Sequence, residues 1–179
     1  QEKRILVGVT GSIAAYKACD LVQRLKEKGA AVRVVMTHSA TRIIHPNALA
    51  ALTGSAVIQD AWEDVGHGAM PHIEMARWTD AFVIAPCTAH TLAELSMGLT
   101  GSAVSMTALA YQGPLIVAPA MNTVMLESAP VQEHLTAFSQ ALQVLLHGCR
   151  FQHHGIRSSG HEYRDAGICT RARAPATPD

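Results

Sequence analysis

The run Ile5-Leu6-Val7-Gly8-Val9 stops at Thr10-Gly11-Ser12, and from there the apolar residues Ala14, Ala18, Leu21, Val22 and Leu25 recur at helical spacing. A change from a continuous apolar run to a 3.6-residue period across a glycine turn marks a strand feeding a helix. Gly29 ends the helical pattern and Val32 to Met36 supplies a second β-branched run, which completes a βαβ unit. The runs Ala81 to Ala85 and Leu115 to Ala118 are again almost wholly apolar instead of alternating. Strands of that kind need cover on both faces, so the sheet is predicted to be parallel with helices on either side. The expected fold class is α/β, a single-domain doubly wound parallel sheet of Rossmann-like type, whose ligands bind outside the carboxyl ends of the strands.

The remaining segments fit that plan. Thr37 to Leu52 reads as a loop feeding one or two helical turns, with Pro46 marking a break or fresh start. Val131, Leu135, Phe138 and Leu142 share one helical face behind Ser128, a candidate N-cap, and Gln143 to Leu146 reads as a last strand. With 49% hydrophobic and 16% charged residues in 179, the chain has material for one core. Beyond Gly148 periodicity is lost, so we expect a domain over 1–148, a loop over 149–168 and a disordered tail over 169–179. Lys plus Arg and Asp plus Glu balance at 14 each, which argues against a nucleic-acid or membrane-surface partner. Cys19, Cys87, Cys149 and Cys169 form no CxxC pair, and His153, His154, His161 and Cys169 lack zinc-module spacing, so neither disulfides nor a metal site are expected. No long apolar stretch follows Gln1 to Arg4, and a soluble, cytoplasmic protein is the expectation.

Candidate chemistry collects at predicted strand ends. In "GVTGSIAAYK" a glycine loop opens a helix, so its N–H groups can face an anion such as phosphate. The dinucleotide fingerprint needs a third glycine and a later acidic residue, both missing here, which favours a mononucleotide over NAD. A plain tight turn would leave the same trace. "APCTAHTLAEL" ends a strand with the hydroxyls of Thr88 and Thr91, "AMPHIEMARWTD" sets His72 ahead of a short amphipathic helix, and "PAMNTVM" follows the run Leu115 to Ala118. Each element taken alone also has an ordinary structural reading, as an N-cap, a surface histidine or a turn.

In order and spacing these four elements resemble the flavin-containing cysteine decarboxylases across residues 3 to 146, and "PAMNTVM" matches that family's PxMNxxM signature. The resemblance implies FMN as cofactor and a homotrimer or dodecamer of trimers with the active site at a subunit contact. It implies that Gly11, Ser12 and Ile13 hold the flavin phosphate and ribityl chain, and that Thr37, Ser39, Pro86, Thr88 and Met121 add cofactor contacts. His72 would be the active-site base, Asn122 would grip the substrate carboxylate, and Met121 and Met125 would line the substrate pocket. An amide donor suits a carboxylate, and methionine gives a dry, polarizable wall for a planar ring. The segment "GLTGSAVS" after Met97, Leu126 after Met125, and His90 depart from the family pattern, which bears on flavin contacts and trimer packing.

Two family branches act on a cysteine carboxylate. The coenzyme A branch, acting on phosphopantothenoylcysteine, carries a late "ACGD…GRM" clamp that this chain lacks. The peptide branch oxidatively decarboxylates the C-terminal cysteine of a ribosomal precursor peptide to an enethiol, as used to build aminovinyl-cysteine rings, and its clamp resembles "GIRSSGHEYR". On that resemblance Ser158, Ser159 and Gly160 would bind an extended peptide. The expectation is therefore a peptidyl-cysteine decarboxylase whose partner is such a precursor. A phosphopantothenoylcysteine decarboxylase and a catalytically silent flavin-binding subunit are the alternatives.

Overall fold

Five strands form one parallel sheet: β1 (Arg4–Val9), β2 (Ala31–Met36), β3 (Ala81–Cys87), β4 (Leu115–Pro119) and β5 (Val144–Leu146), in the order β2-β1-β3-β4-β5. The computed structural model describes residues 2–59, 70–141 and 144–146. The chain winds outward from β1 to β2, then crosses back to β3 and continues to β5, which makes the β1/β3 junction the switch point of the sheet. The doubly wound expectation holds.

Among the described residues eight helices flank the sheet: α1 (Ala18–Glu27), α2 (His38–Thr41), α3 (Pro46–Thr53), α4 (Pro71–Trp78), α5 (Ala89–Met97), α6 (Ala103–Ala110), α7 (Thr123–Glu127) and α8 (Ala129–Ala141). Because side chains alternate along a strand, the sheet supplies two cores. Val7, Val9, Val32, Val34 and Met36 pack under Ala18 and Val22 of α1 and Leu49 of α3. Leu6, Val35, Phe82, Ile84 and Val117 pack under Met75 of α4, Leu92 of α5, Val104 of α6 and Phe138 of α8. The apolar face read for the last helix is buried at Val131 and Phe138. Ser128 stands at the N-cap position read for it, just before α8, its carbonyl accepting from Gln132 N–H at 3.1 Å, and its hydroxyl also donates to the Met125 carbonyl at 2.6 Å, closing α7.

Helix α6 has no counterpart in the sequence reading. Its residues, AVSMTALA, are small or apolar all round, so no helical stripe stands out, and its start is set by a reciprocal capping box between Ser102 and Ser105. It lies close to the sheet because β1 has a glycine beneath it. A Cβ on Gly8 would come within 3.1 Å of Phe82 and 3.2 Å of Val104.

The amino edge of the sheet is tied by Arg4, whose backbone N–H and guanidinium both donate to Asp80, at 2.9 and 2.8 Å. These bonds hold the Asp80 carboxyl at about 2, below its ordinary 3.8. A carboxylate held low in the fold adds stability above its unfolded value and loses it as pH falls through the folded value. Asp80→Asn should therefore lower the melting temperature at neutral pH, and the gap to wild type should close between pH about 4 and about 2 in a pH series of thermal melts. Both side chains are partly exposed, so the effect should be small.

Candidate active site

The carboxyl ends of four adjacent strands are sewn together by hydrogen bonds. Thr37 N–H donates to the Val9 carbonyl at 3.0 Å, joining β2 to β1. Thr10, fully buried, joins β1 to β3: its hydroxyl donates to the Pro86 carbonyl at 2.7 Å and accepts from the Thr88 N–H at 2.9 Å. Ala120 N–H donates to the Cys87 carbonyl at 2.9 Å, joining β4 to β3. Residues distant in sequence, Gly11 to Ile13, Thr37 to Ser39, Thr88 and Met121 to Met125, thus share one edge.

Within that edge the glycine loop is tight. Ser12 caps the 3-10 turn Ile13–Lys17, its hydroxyl accepting from Ala14 N–H at 3.4 Å. A Cβ on Gly11 would come within 2.6 Å of the Ser39 Cβ, so only glycine lets this loop lie against the start of α2. Thr37 caps α2 and shares a 3.0 Å hydrogen bond with Ser39, while Thr88 caps α5 by accepting from Thr91 N–H at 3.3 Å. The backbone N–H groups of Gly11 and Ile13 have no hydrogen-bond partner among the described residues, and Ile13 stands 71% exposed beside them. Two free amides, hydroxyls from Ser12, Thr37 and Ser39, and an uncovered apolar side chain suit the phosphate and ribityl chain of a flavin mononucleotide.

Asn122 lies three residues beyond the end of β4 and caps α7. Its Oδ1 accepts from Val124 N–H at 2.8 Å. A backbone N–H can only donate, so the oxygen is fixed and the exposed amide is left with its N–H2 group as donor. Met121 packs onto the core, whereas Val124 and Met125 are 76% and 50% exposed. Cys87 is no nucleophile, since burial, with a smaller push from Glu94, raises its thiol far above the ordinary range.

His72 is the second residue of α4, a helix that runs antiparallel to the strands and delivers its far end to the amino edge through Asp80 and Arg4. Among the described residues no hydrogen bond joins His72 to Asn122, and the buried His72 Nδ1 has no partner. Ser158, Ser159 and Gly160 lie outside the described residues.

The departures in "GLTGSAVS" have a local explanation. Gly98 ends α5 in the left-handed conformation, and Glu94, only 5% exposed, accepts from the Ser102 hydroxyl at 3.2 Å with His90 Nε2 3.4 Å away. A side chain at Gly101 would collide with the Glu94 carboxylate, so the glycine and the buried acid belong together. A cavity of about 530 Å³ lies at the opposite, amino edge, beside Thr79, Asp80 and Tyr111.

A doubly wound sheet with this strand-end cradle is the architecture of nucleotide-binding flavoproteins. The chain belongs to the Flavoprotein family, whose model matches residues 1–153. It is 42% identical over 134 residues to the coenzyme A biosynthesis bifunctional protein CoaBC of Haemophilus influenzae, covering 75% of this chain and 34% of that protein. The corresponding protein of Vibrio vulnificus is 39% identical over 138 residues, 77% of this chain and 34% of the relative. The chain thus spans about a third of the length of the curated relatives it matches. Among solved structures it is similar to the FMN-dependent cysteine decarboxylase SpaF, with a TM-score of 0.76 and 31% identity over 80% of this chain and 83% of that one. It is also similar to a PPC decarboxylase mutant complexed with pantothenoylaminoethenethiol, at 0.71 and 31% over 82% and 81%. Sequence kinship is therefore with CoaBC proteins, which corrects the expectation that the peptide branch lies nearest. No helix among the described residues is long and apolar enough to cross a membrane.

Thr10 is the site residue that the sequence does not announce, since its partners lie 76 and 78 positions away. The local signal was a hydroxyl residue between an apolar strand and a glycine. Thr10→Val keeps the shape and the 3.3 Å bond from the residue 10 N–H to the Pro86 carbonyl but leaves the Thr88 N–H unpaired, and should cost about 1–3 kcal/mol in denaturant unfolding while weakening flavin retention.

Proposed function

We propose that this chain is an FMN-dependent decarboxylase of a cysteine carboxylate, and that its substrate is phosphopantothenoylcysteine. The observation that carries the reading is Asn122. Its oxygen is fixed by capping α7, which leaves an exposed amide donor just beyond the end of β4, next to the strand ends that form the flavin cradle. Such a donor binds a carboxylate without adding charge, and the neighbouring Met121 and Met125 keep water from the group that leaves as CO2. FMN, once bound, would take two electrons from the cysteine side chain, which makes loss of CO2 possible, and on this reading would return them to the enethiol so that CO2 alone is lost. His72 serves as the acid–base group for that oxidation, its buried Nδ1 having no protein partner to compete. Gly11, Ser12, Ile13, Thr37, Ser39 and Thr88 hold the cofactor. The exposed apolar side chains Ile13, Tyr16, Val124 and Met125 support assembly with further copies of the chain, as a homotrimer, around the cleft.

The substrate choice rests on kinship with CoaBC proteins at 39–42% identity. A second reading, decarboxylation of a peptide's C-terminal cysteine, is favoured by the similarity to SpaF and by "GIRSSGHEYR" in place of "ACGD…GRM". On that reading residues 149–168 form the peptide clamp. The products separate the two. Incubated with flavin-loaded protein, phosphopantothenoylcysteine should lose CO2 alone by mass spectrometry, whereas a cysteine-ended peptide on the second reading loses CO2 and two hydrogens. If neither substrate changes mass in the presence of bound flavin, the decarboxylase reading falls and a flavin-binding subunit remains.

His72→Asn should retain flavin, seen in the visible spectrum, and slow turnover by roughly 10²–10⁴, the usual worth of a general acid–base group. Wild-type turnover in that variant removes His72 from the chemistry.

A further inference from the structure

Arg33 occupies an unusual place for a guanidinium, the middle of the edge strand β2. Strand alternation puts it on the face of Val35, which packs under the α4 and α6 layer, and not on the face of Val32 and Val34. Its side chain is 31% exposed, and its side-chain contacts among the described residues fall on adjacent turns of α4. Nη1 lies 3.5 Å from the Glu74 carboxylate and 3.9 Å from the Met75 sulfur, and the guanidinium carbon lies 4.6 Å from the centre of the Trp78 ring. The cation is thus held between an acid and an indole on successive turns of one helix.

That helix carries His72 in its first turn. Met70, its N-cap residue, makes no side-chain capping bond, while the other end is closed by the Thr79 hydroxyl donating to the Met75 carbonyl at 2.7 Å. Among the described residues the buried His72 Nδ1 has no hydrogen-bond partner. Acid–base histidines are usually oriented by a hydrogen bond to a third group. No described residue supplies that bond to Nδ1, so the depth and rotation of α4 bear directly on the direction of the imidazole.

We propose that Arg33 is the positioning residue for His72, acting through the grip of its planar cation on Glu74, Met75 and Trp78. This rests on the reading of His72 as the acid–base group. A half-exposed ion pair adds little to stability. Its value is geometric, because displacing a reacting group by about 1 Å can cost about a hundredfold in rate. Lysine could pair with Glu74 but could not stack flat on Trp78.

The test compares Arg33→Met, Arg33→Lys and His72→Asn in flavin-loaded full-length protein, each checked for folding by thermal melt. Phosphopantothenoylcysteine is the probe, or a cysteine-ended peptide if that is the one wild type turns over. Arg33→Met should keep its flavin and its KM within about twofold and lower kcat by roughly 10–100-fold, and Arg33→Lys should fall between it and wild type. Added to His72→Asn, Arg33→Met should leave the residual rate of single-turnover flavin reduction within about twofold, because the residue it positions is already gone. Unchanged kcat in Arg33→Met, or loss of flavin and KM together with kcat in both Arg33 variants, overturns the proposal while leaving the role of His72 intact. So does a further tenfold drop in the double variant. Wild-type turnover in His72→Asn overturns both.

Discussion

The hydroxyl of Thr10 is the contact on which the rest of the site depends. It donates to the last carbonyl but one of β3 and accepts from the first amide beyond that strand, closing the gap between β1 and β3 where the winding of the sheet reverses. At such a reversal the loops leaving the two strands diverge and open a crevice for ligands. Without the hydroxyl, the Thr88 N–H would be unpaired and the glycine loop would be tied to β3 only by the 3.3 Å bond from the Thr10 N–H to the Pro86 carbonyl. With it, the Gly11 loop, the Thr37–Ser39 turn and Thr88 hold a common geometry from which a cofactor can be gripped by backbone as well as side chains.

Around that cradle the same residue often serves the fold and the chemistry at once. Asn122 caps α7 with its oxygen, and the capping bond is what turns the amide nitrogen into a dedicated donor. Gly101 has no side chain because the carboxylate of Glu94 lies where one would go, and that buried acid accepts from the Ser102 hydroxyl at the start of α6. The altered segment after Met97 is therefore a repacked helix junction with its own internal logic. Arg33 binds α4 to the edge strand in the same economical way. These pairings explain how a chain can depart from the pattern it resembles while keeping its strand ends in register.

Much of the fold was legible because a buried parallel strand writes itself into the sequence as a short apolar run bounded by turn residues. Gly11, Thr88 and Asn122 could be singled out because each lies within three residues of such a run, and strand ends are where this fold class binds ligands. Helix α6 was not legible, since a helix covered on several sides has no polar stripe and leaves no period to detect. Ser128 was legible as the residue that opens α8, but the use of its hydroxyl was not: between two helices it can serve either, and it donates to the Met125 carbonyl. The branch was less legible: a short late stretch of low periodicity pointed to the peptide branch, while kinship spread over some 134 residues supports the coenzyme A alternative better.

By itself the sequence determined the sheet, its parallel sense, the positions of the strand ends and the residue types available there, because these follow from local periodicity and from what a buried backbone requires. Only the tertiary structure decided which of those residues act together. The partners of Thr10 lie 76 and 78 positions away, and those of Arg33 lie more than forty positions along the chain. The reason is physical: contacts between elements depend on how helices settle onto the sheet, and that is a property of packing volume and hydrogen-bond closure over the whole domain, which no local stretch of the chain contains.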